Sequence, residues 1–215
     1  MEGRKGWVFR ITKAATRIFL SPFFRLETRG RENLPKQSAF ILLPKHQRWQ
    51  DIPLLSLATP RPLYYLAKYD LFNNPLSGWF LTSLGGVPLN REQPLESRRS
   101  LQALIEYLKA GEGVVVFPEG TYYTNGVGPG RIGMVRFILS RFTLPFIPVG
   151  IHYSRRGIRT LVQVNFGKAV HPRSASSVSS FLDTIMKQIA VLSGFSQNIS
   201  ASRAFPHAHT CGQRP

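Results

Sequence analysis

The sequence predicts an α/β fold: a layered domain with a central mixed sheet flanked by helices, preceded by an amphipathic helix. Two observations carry this prediction. Short apolar or β-branched runs alternate with longer segments of helical periodicity, as in layered α/β domains. The chain also has 215 residues and 43% hydrophobic side chains, which is enough for one domain with a sizeable core.

The first predicted element is an amphipathic helix that Pro22 ends. At about 100° per residue, its side chains divide into an apolar arc and a basic arc. The apolar arc comprises Trp7, Val8, Ile11, Ala14, Ala15, Ile18 and Phe19. The basic arc comprises Arg10, Lys13 and Arg17. This pattern is typical of a helix in an anionic lipid interface, and also of a surface helix packed on its own domain.

Strands and helices follow one another along the rest of the chain. Apolar runs predict buried strands at 38–43, 114–117, 146–153 and 161–166. Helical periodicity and turn signals predict helices at 52–58, 71–84, 101–109, 131–142 and 181–192. We therefore expect three regions, which are a membrane-surface helix in 1–24, a folded domain in 25–195 and a disordered tail in 196–215.

The charge balance indicates a polyanionic partner. The formal net charge is +17, from 28 Lys and Arg against 11 Asp and Glu. Such basicity suits an anionic membrane surface or a nucleic acid. No nucleic-acid motif is present, and the aromatic residues lie in apolar segments and are not interleaved with basic ones. No apolar run approaches the roughly 20 residues of a membrane span. A non-enzymatic nucleic-acid-binding protein remains the alternative.

The sequence predicts neither a metal nor a cofactor. The lone Cys211, with His207 and His209, supplies no fourth ligand for a metal. The glycines between Gly128 and Gly133 fit a dinucleotide pattern, but Pro129 removes an amide and no strand directly precedes them.

His46 and Asp51 are the candidate catalytic residues. His46 follows the strand predicted at 38–43, and Asp51 lies five positions later, across a turn into a helix. At this spacing the carboxylate can accept the Nδ1 proton of the imidazole and leave Nε2 as a base. Without a nucleophile of its own, such a pair would activate a hydroxyl of the substrate.

Four ordered motifs resemble those of a known family. They are His46-x-x-x-x-Asp51, Gly86-Val-Pro-Leu-Asn-Arg91, Phe117-Pro-Glu-Gly-Thr121 and Phe146-Ile-Pro-Val149. Together they resemble the ordered motifs of the glycerolipid acyltransferases of the lysophosphatidic acid acyltransferase group. The fold class then implied is glycerol-3-phosphate acyltransferase-like.

The resemblance implies roles for these residues. His46 would be the general base and Asp51 would orient it. Arg91 would bind the phosphate of the acceptor, and Glu119, Gly120 and Thr121 would belong to the substrate-binding loop.

The resemblance also implies the substrates, which are a lysophospholipid acceptor and an acyl-ACP or acyl-CoA donor. It places the enzyme on the cytoplasmic side of an anionic membrane, without nucleic acid. One departure concerns the acceptor headgroup. Relatives often continue the third motif with Arg and Ser, whereas this chain has Tyr122 and Tyr123. Lys68 and Arg131 are candidates to replace the missing cation.

Overall fold

The computed structural model describes residues 4–90, 94–172 and 177–195, and it has the predicted α/β fold. The helices are α1 (Gly6–Leu20), α2 (Asp51–Ala58), α3 (Pro75–Ser83), α4 (Pro94–Lys109), α5 (Ile132–Leu139) and α6 (Val178–Leu192). The strands are β1 (Phe24–Arg29), β2 (Phe40–Pro44), β3 (Leu63–Lys68), β4 (Gly86–Leu89), β5 (Gly113–Val115), β6 (Phe146–Arg156) and β7 (Arg159–Phe166). The tail predicted in 196–215 lies outside the described residues.

In the described part of the chain, the strands form one seven-stranded sheet in the order β1-β7-β6-β2-β5-β3-β4. The strands from β6 to β4 in that order are parallel to one another. β7 is antiparallel to β6, and β1 is parallel to β7, so the sheet is mixed. Because the parallel strands end at one edge, the loops after β2, β5 and β3 meet there.

β2 lies in the middle of the sheet and is buried along its whole length. Ile41 and Leu43 belong to the core on one face, with residues of α4, α5 and α6. Phe40 and Leu42 belong to the core on the other face, with residues of α2. Side chains alternate between the two faces of a strand, so a strand that is buried on both faces consists of apolar residues only. This explains why the continuous apolar run predicts β2.

Helix α1 packs against the domain but leaves most of its apolar arc exposed. Val8 and Phe9 are buried, and the Lys13 ammonium donates to the carbonyl oxygen of Thr59 at 3.0 Å. The large apolar side chains that are more than half exposed on α1 are Trp7, Ile11, Ile18 and Phe19. The helix therefore has one face packed on the domain and one exposed apolar face, and its place at a lipid surface stays a prediction.

Three strands are not predicted by the sequence patterns. β1 is an edge strand whose outward positions are charged, so it resembles a solvated link. β4 is the opposite edge strand and contains Pro88. An edge strand tolerates a proline because its outer side forms no backbone hydrogen bonds with another strand. β3 lies between β5 and β4.

Four helices differ from their predicted bounds by more than one residue. α5 ends at Leu139 and not at residue 142, and α6 begins at Val178 and not at residue 181. α4 begins at Pro94 and not at residue 101. α3 begins only at Pro75, where the side chain of Asn74 caps it by accepting the backbone N–H of Leu76. A helix start at this turn agrees with its proline and its side-chain cap.

Candidate active site

His46 follows β2 at the edge where the parallel strands end. Its ring stacks on Phe117, with centroids 3.9 Å apart and an interplanar angle of 27°. On another side Tyr122 lies tilted at 4.4 Å and 58°. Only 12% of the His46 side chain is exposed. The two aromatic rings therefore hold the imidazole in one orientation and limit its contact with water.

Asp51 is the first residue of α2, and its side chain is completely buried beside His46. Its Oδ2 lies 3.1 Å from Nδ1 of His46. The same oxygen accepts the backbone N–H groups of Gln47 at 2.6 Å and Arg48 at 2.8 Å. A carboxylate at a helix N-terminus is also favoured by the helix dipole. With Nδ1 as the donor, Nε2 keeps its lone pair and, among the described residues, has no hydrogen-bond partner.

Tyr153, on β6, supplies a further donor to this carboxylate. Its hydroxyl donates to Oδ1 of Asp51 at 2.5 Å. Burial raises the pKa of Tyr153, and the Asp51 carboxylate raises it further, so the phenol stays protonated. The Arg48 guanidinium lies 4.3 Å from the centroid of the Tyr153 ring. Tyr153 is thus enclosed between a carboxylate and a cation.

A buried ion pair joins the loops that follow β2 and β5. The Lys45 ammonium donates to both carboxylate oxygens of Glu119 at 2.9 Å, and both side chains are completely buried. It also donates to the carbonyl oxygens of His46 at 3.1 Å and Tyr123 at 2.6 Å. Glu119 in turn accepts the N–H groups of His46 at 2.9 Å and Gly128 at 2.7 Å. Burial lowers the pKa of Lys45, and the Glu119 carboxylate opposes this change. The pair therefore fixes the backbone of His46.

The third motif divides into a framework part and an exposed part. The Glu119 carboxylate is enclosed by protein donors, so direct contact with a substrate would require the pair with Lys45 to open. Gly120 has a φ of 69°, which favours glycine, and it turns the chain away from β5. Thr121 follows this turn and is exposed.

The three cations predicted to bind phosphate differ in their positions and contacts. Lys68 ends β3 at the same edge as His46, and its exposed ammonium pairs with Asp70. Arg131 is exposed, and its Nε donates to the carbonyl oxygen of Glu119 at 3.3 Å. β4 also ends at this edge, but Arg91 lies outside the described residues.

No group of three or more metal-ligating side chains occurs within the described ranges. His207, His209 and Cys211, which the sequence analysis considered for a metal, lie outside them. None of the described helices is long and apolar enough to span a membrane.

Comparison with known proteins decides the family. A family model described as Acyltransferase matches residues 25–152, which hold His46, Asp51 and the third motif. The chain belongs to the acyltransferase family. This confirms the resemblance drawn from the four motifs.

Relatives within the family carry related names. A 1-acyl-sn-glycerol-3-phosphate acyltransferase of Bacillus subtilis (strain 168) is 34% identical over 121 residues, which are 56% of this chain and 60% of that protein. A lyso-ornithine lipid O-acyltransferase of Pseudomonas aeruginosa is 34% identical over 134 residues, which are 61% of this chain and 50% of that protein. In the first relatives the match spans 33% to 60% of their length, so the chain covers about half of such proteins.

A solved structure has the same fold. The crystal structure of the 1-acyl-sn-glycerophosphate acyltransferase PlsC from Thermotoga maritima superimposes with a TM-score of 0.65 and 27% sequence identity. The match covers 86% of this chain and 76% of the Thermotoga chain. The layered domain with a mixed sheet is therefore the acyltransferase fold.

Sequence reasoning missed Lys45 and Tyr153, although each carries a signal. Lys45 directly follows a fully apolar strand, and a lysine buried there needs a carboxylate partner. Tyr153 shares a strand face with Val149 and Ile151, so the alternation of β6 directs it toward the side of the sheet that α2 covers.

Proposed function

We propose that this protein moves a fatty acyl group from an acyl thioester to the free sn-2 hydroxyl of 1-acylglycerol-3-phosphate or a related lysophospholipid. The donor would be acyl-ACP or acyl-CoA. The observation that carries the proposal is the His46 imidazole, oriented by the buried Asp51 and with Nε2 left as a base. Membership of the acyltransferase family and relatives named 1-acyl-sn-glycerol-3-phosphate acyltransferases support the reaction class.

In the proposed reaction, Nε2 of His46 accepts the proton of the acceptor hydroxyl while the hydroxyl oxygen attacks the thioester carbonyl carbon. A tetrahedral intermediate forms. Its collapse breaks the carbon–sulfur bond, and the leaving thiolate takes the proton from the imidazolium. Asp51 stabilises the imidazolium between these two transfers. The products are the ester and the free thiol of the carrier.

The acceptor phosphate would lie on the side of the site where the parallel strands end. Lys68 and Arg131 support this, since Lys68 ends β3, which pairs with β5, and Arg131 donates to a carbonyl of the loop after β5. We assign phosphate contacts to Lys68, Arg131 and Arg91, and hydrogen bonding to Gly120 and Thr121. An arginine offers two parallel donors to phosphate oxygens, so these contacts would select for a phosphate-bearing acceptor.

The proposed setting is the cytoplasmic surface of an anionic membrane. The exposed apolar side chains of α1 support this, because packing against the domain leaves them uncovered. Arg10 and Arg17 are exposed on the same helix and would be attracted to anionic lipid. Each cation near such a surface contributes about 1 kcal/mol of binding.

The test is an acyl-transfer assay with the purified full chain. Acyl-ACP and acyl-CoA donors are each combined with 1-acylglycerol-3-phosphate and with lyso-ornithine lipid, the acceptor named by two relatives. The proposal expects an ester product and a free thiol in equal amounts, with 1-acylglycerol-3-phosphate as the better acceptor. Transfer to lyso-ornithine lipid alone would contradict the proposed acceptor, and no transfer from any donor would contradict the proposed reaction.

A further inference from the structure

A cavity of about 340 Å³ lies between α1, β1 and α2. Neither His46 nor Asp51 lines it. Its volume is within the range of small-ligand pockets. Its lining combines apolar side chains from all three elements, among them Leu20, Phe24 and Leu54, with the polar Ser21 and Thr28 and two arginines. The cavity can therefore accommodate a short hydrocarbon segment on one side and a polar group on the other.

Two arginines and a lysine form a cation cluster at this cavity. Arg17 and Arg31 line it directly. Lys13 lies one turn before Arg17 on α1, and the charges of Arg17 and Arg31 add to burial in lowering its pKa. Lys13 and Arg31 donate to the carbonyl oxygens of Thr59 and Ala58, at 3.0 Å and 2.7 Å, which are neutral acceptors at the end of α2. Among the described residues, none of the three cations forms an ion pair. The cluster therefore places three positive charges, none in an ion pair among the described residues, beside a partly apolar cavity.

Helix α2 separates this cluster from the catalytic pair. Asp51 is its first residue and Ala58 its last, which places them about 10 Å apart along the helix. The phosphate and the free hydroxyl of a glycerol phosphate are on neighbouring carbons, so they are much closer together than this. This separation along α2 argues against one acceptor that has its phosphate at Arg31 and its hydroxyl at His46.

We propose that this cavity binds one anionic phospholipid of the membrane surface, as a site separate from the active site. The phosphate lies against Arg17, Arg31 and Lys13, and part of one acyl chain lies along Leu20 and Leu54. Arginine suits phosphate because its two parallel N–H groups match two phosphate oxygens. The exposed Ile18 and Phe19 lie between Arg17 and Leu20 in the sequence of α1, and these two residues line the cavity.

This inference rests on the proposed position of α1 at a lipid surface, and it is independent of acyl transfer. The experiment therefore measures lipid retention by the full chain in detergent, without an acyl donor. Native mass spectrometry counts the molecules of phosphatidylglycerol, an anionic phospholipid, that remain bound to each protein chain. Vesicle binding is measured separately, so that weaker binding to the membrane surface can be distinguished from loss of the bound lipid molecule.

Arg17→Gln and Arg10→Gln form a matched pair. Both arginines are exposed on α1 and each substitution removes one charge, but only Arg17 lines the cavity. We expect one retained phosphatidylglycerol per chain, a loss of at least tenfold in affinity with Arg17→Gln, and a loss below threefold with Arg10→Gln. Arg17→Lys keeps the charge but not the two parallel N–H groups, so it should restore only part of the affinity. Equal losses in the two Gln variants would overturn the proposal.

Filling the cavity tests the acyl-chain contact. Ser21 lines the cavity and is exposed, so Ser21→Phe adds volume without removing a core contact. It should lower the retention of phosphatidylglycerol at least fivefold while vesicle binding is kept or increased. Unchanged retention in a variant with the wild-type melting temperature would overturn the proposal. Displacement of the lipid by inorganic phosphate alone, at concentrations equal to those of the lipid, would also overturn it, because the site would then bind a free anion.

Discussion

Four proton donors surround the Asp51 carboxylate, and all of them belong to the protein. They are the His46 imidazole, the backbone N–H groups of Gln47 and Arg48, and the Tyr153 hydroxyl. Because these four donors are fixed by the fold, the carboxylate keeps a fixed direction toward Nδ1. In the proposed mechanism this direction decides which nitrogen of His46 serves as the base.

Tyr153→Phe is predicted to make the stability of the fold less sensitive to alkaline pH. The pKa of Tyr153 in the folded state is raised above its unfolded value of about 10. Below about pH 10 both states keep the proton and the stabilising contribution is complete. Above this pH the unfolded chain loses the proton while the folded protein keeps it, so the free energy of unfolding falls by up to about 1.4 kcal/mol per pH unit.

Urea unfolding at about pH 8 and about pH 11 measures this effect. The wild type should lose more stability between the two pH values than Tyr153→Phe does. Equal losses would show that Tyr153 does not hold its proton more tightly in the folded state.

Sequence spacing identifies His46 and Asp51 because both lie within one turn of chain. Tyr153 and Glu119 reach the same site from positions 102 and 73 residues away, through pairings of strands. The spacing of residues along the sequence does not show which strands pair with one another. The contact between His46 and Asp51 was therefore predictable, whereas its support from neighbouring strands was not.

Among the elements, the loops after β2 and β5 depend on each other through Lys45 and Glu119. Glu119→Gln is predicted to cost about 3–5 kcal/mol of stability, because it leaves the buried Lys45 ammonium without its counter-charge. Glu106→Gln is the control, since Glu106 is an exposed carboxylate on α4, and it should change stability by less than about 0.5 kcal/mol. Denaturant unfolding measures both variants. A cost below about 1 kcal/mol for Glu119→Gln would contradict a supporting role for the pair.

Helix α1 is predicted to have separable packing and lipid-binding faces. Trp7→Ser with Ile18→Ser removes exposed apolar side chains, so it should weaken binding to anionic vesicles at least about tenfold and leave the melting temperature unchanged. Phe9→Ala removes a buried side chain and should cost about 3–5 kcal/mol of stability. Both variants are followed by vesicle sedimentation and thermal unfolding. A fall in melting temperature with the double substitution would show that the exposed face packs on protein.

The predicted elements share a strong local pattern. β2 is a continuous apolar run covered on both faces, and α6 has a clear amphipathic period. β1 and β4 are edge strands. The exposed positions of β1 carry charged residues and β4 contains a proline, so neither sequence shows the apolar pattern of a buried strand. Their existence follows from pairing with β7 and β3, which only the assembled sheet provides.

At the scale of the whole molecule, the net charge of +17 suits two classes of partner, and the exposed apolar face of α1 favours the membrane. The full chain is predicted to sediment with anionic vesicles, with weaker binding as salt rises. It should bind duplex DNA or single-stranded RNA more weakly at every salt concentration. Tighter binding to either nucleic acid at about 0.15 M salt would favour the nucleic-acid-binding alternative.

The account as a whole depends on His46 acting as a general base in acyl transfer. The most direct measurement is the turnover of 1-acylglycerol-3-phosphate and an acyl thioester by the wild type and by His46→Ala, with His171→Ala, an exposed histidine, as the control. Turnover should fall by about 10²–10⁴ in His46→Ala, while the fold and the control are unaffected. Near-normal turnover in a folded His46→Ala protein would contradict the account.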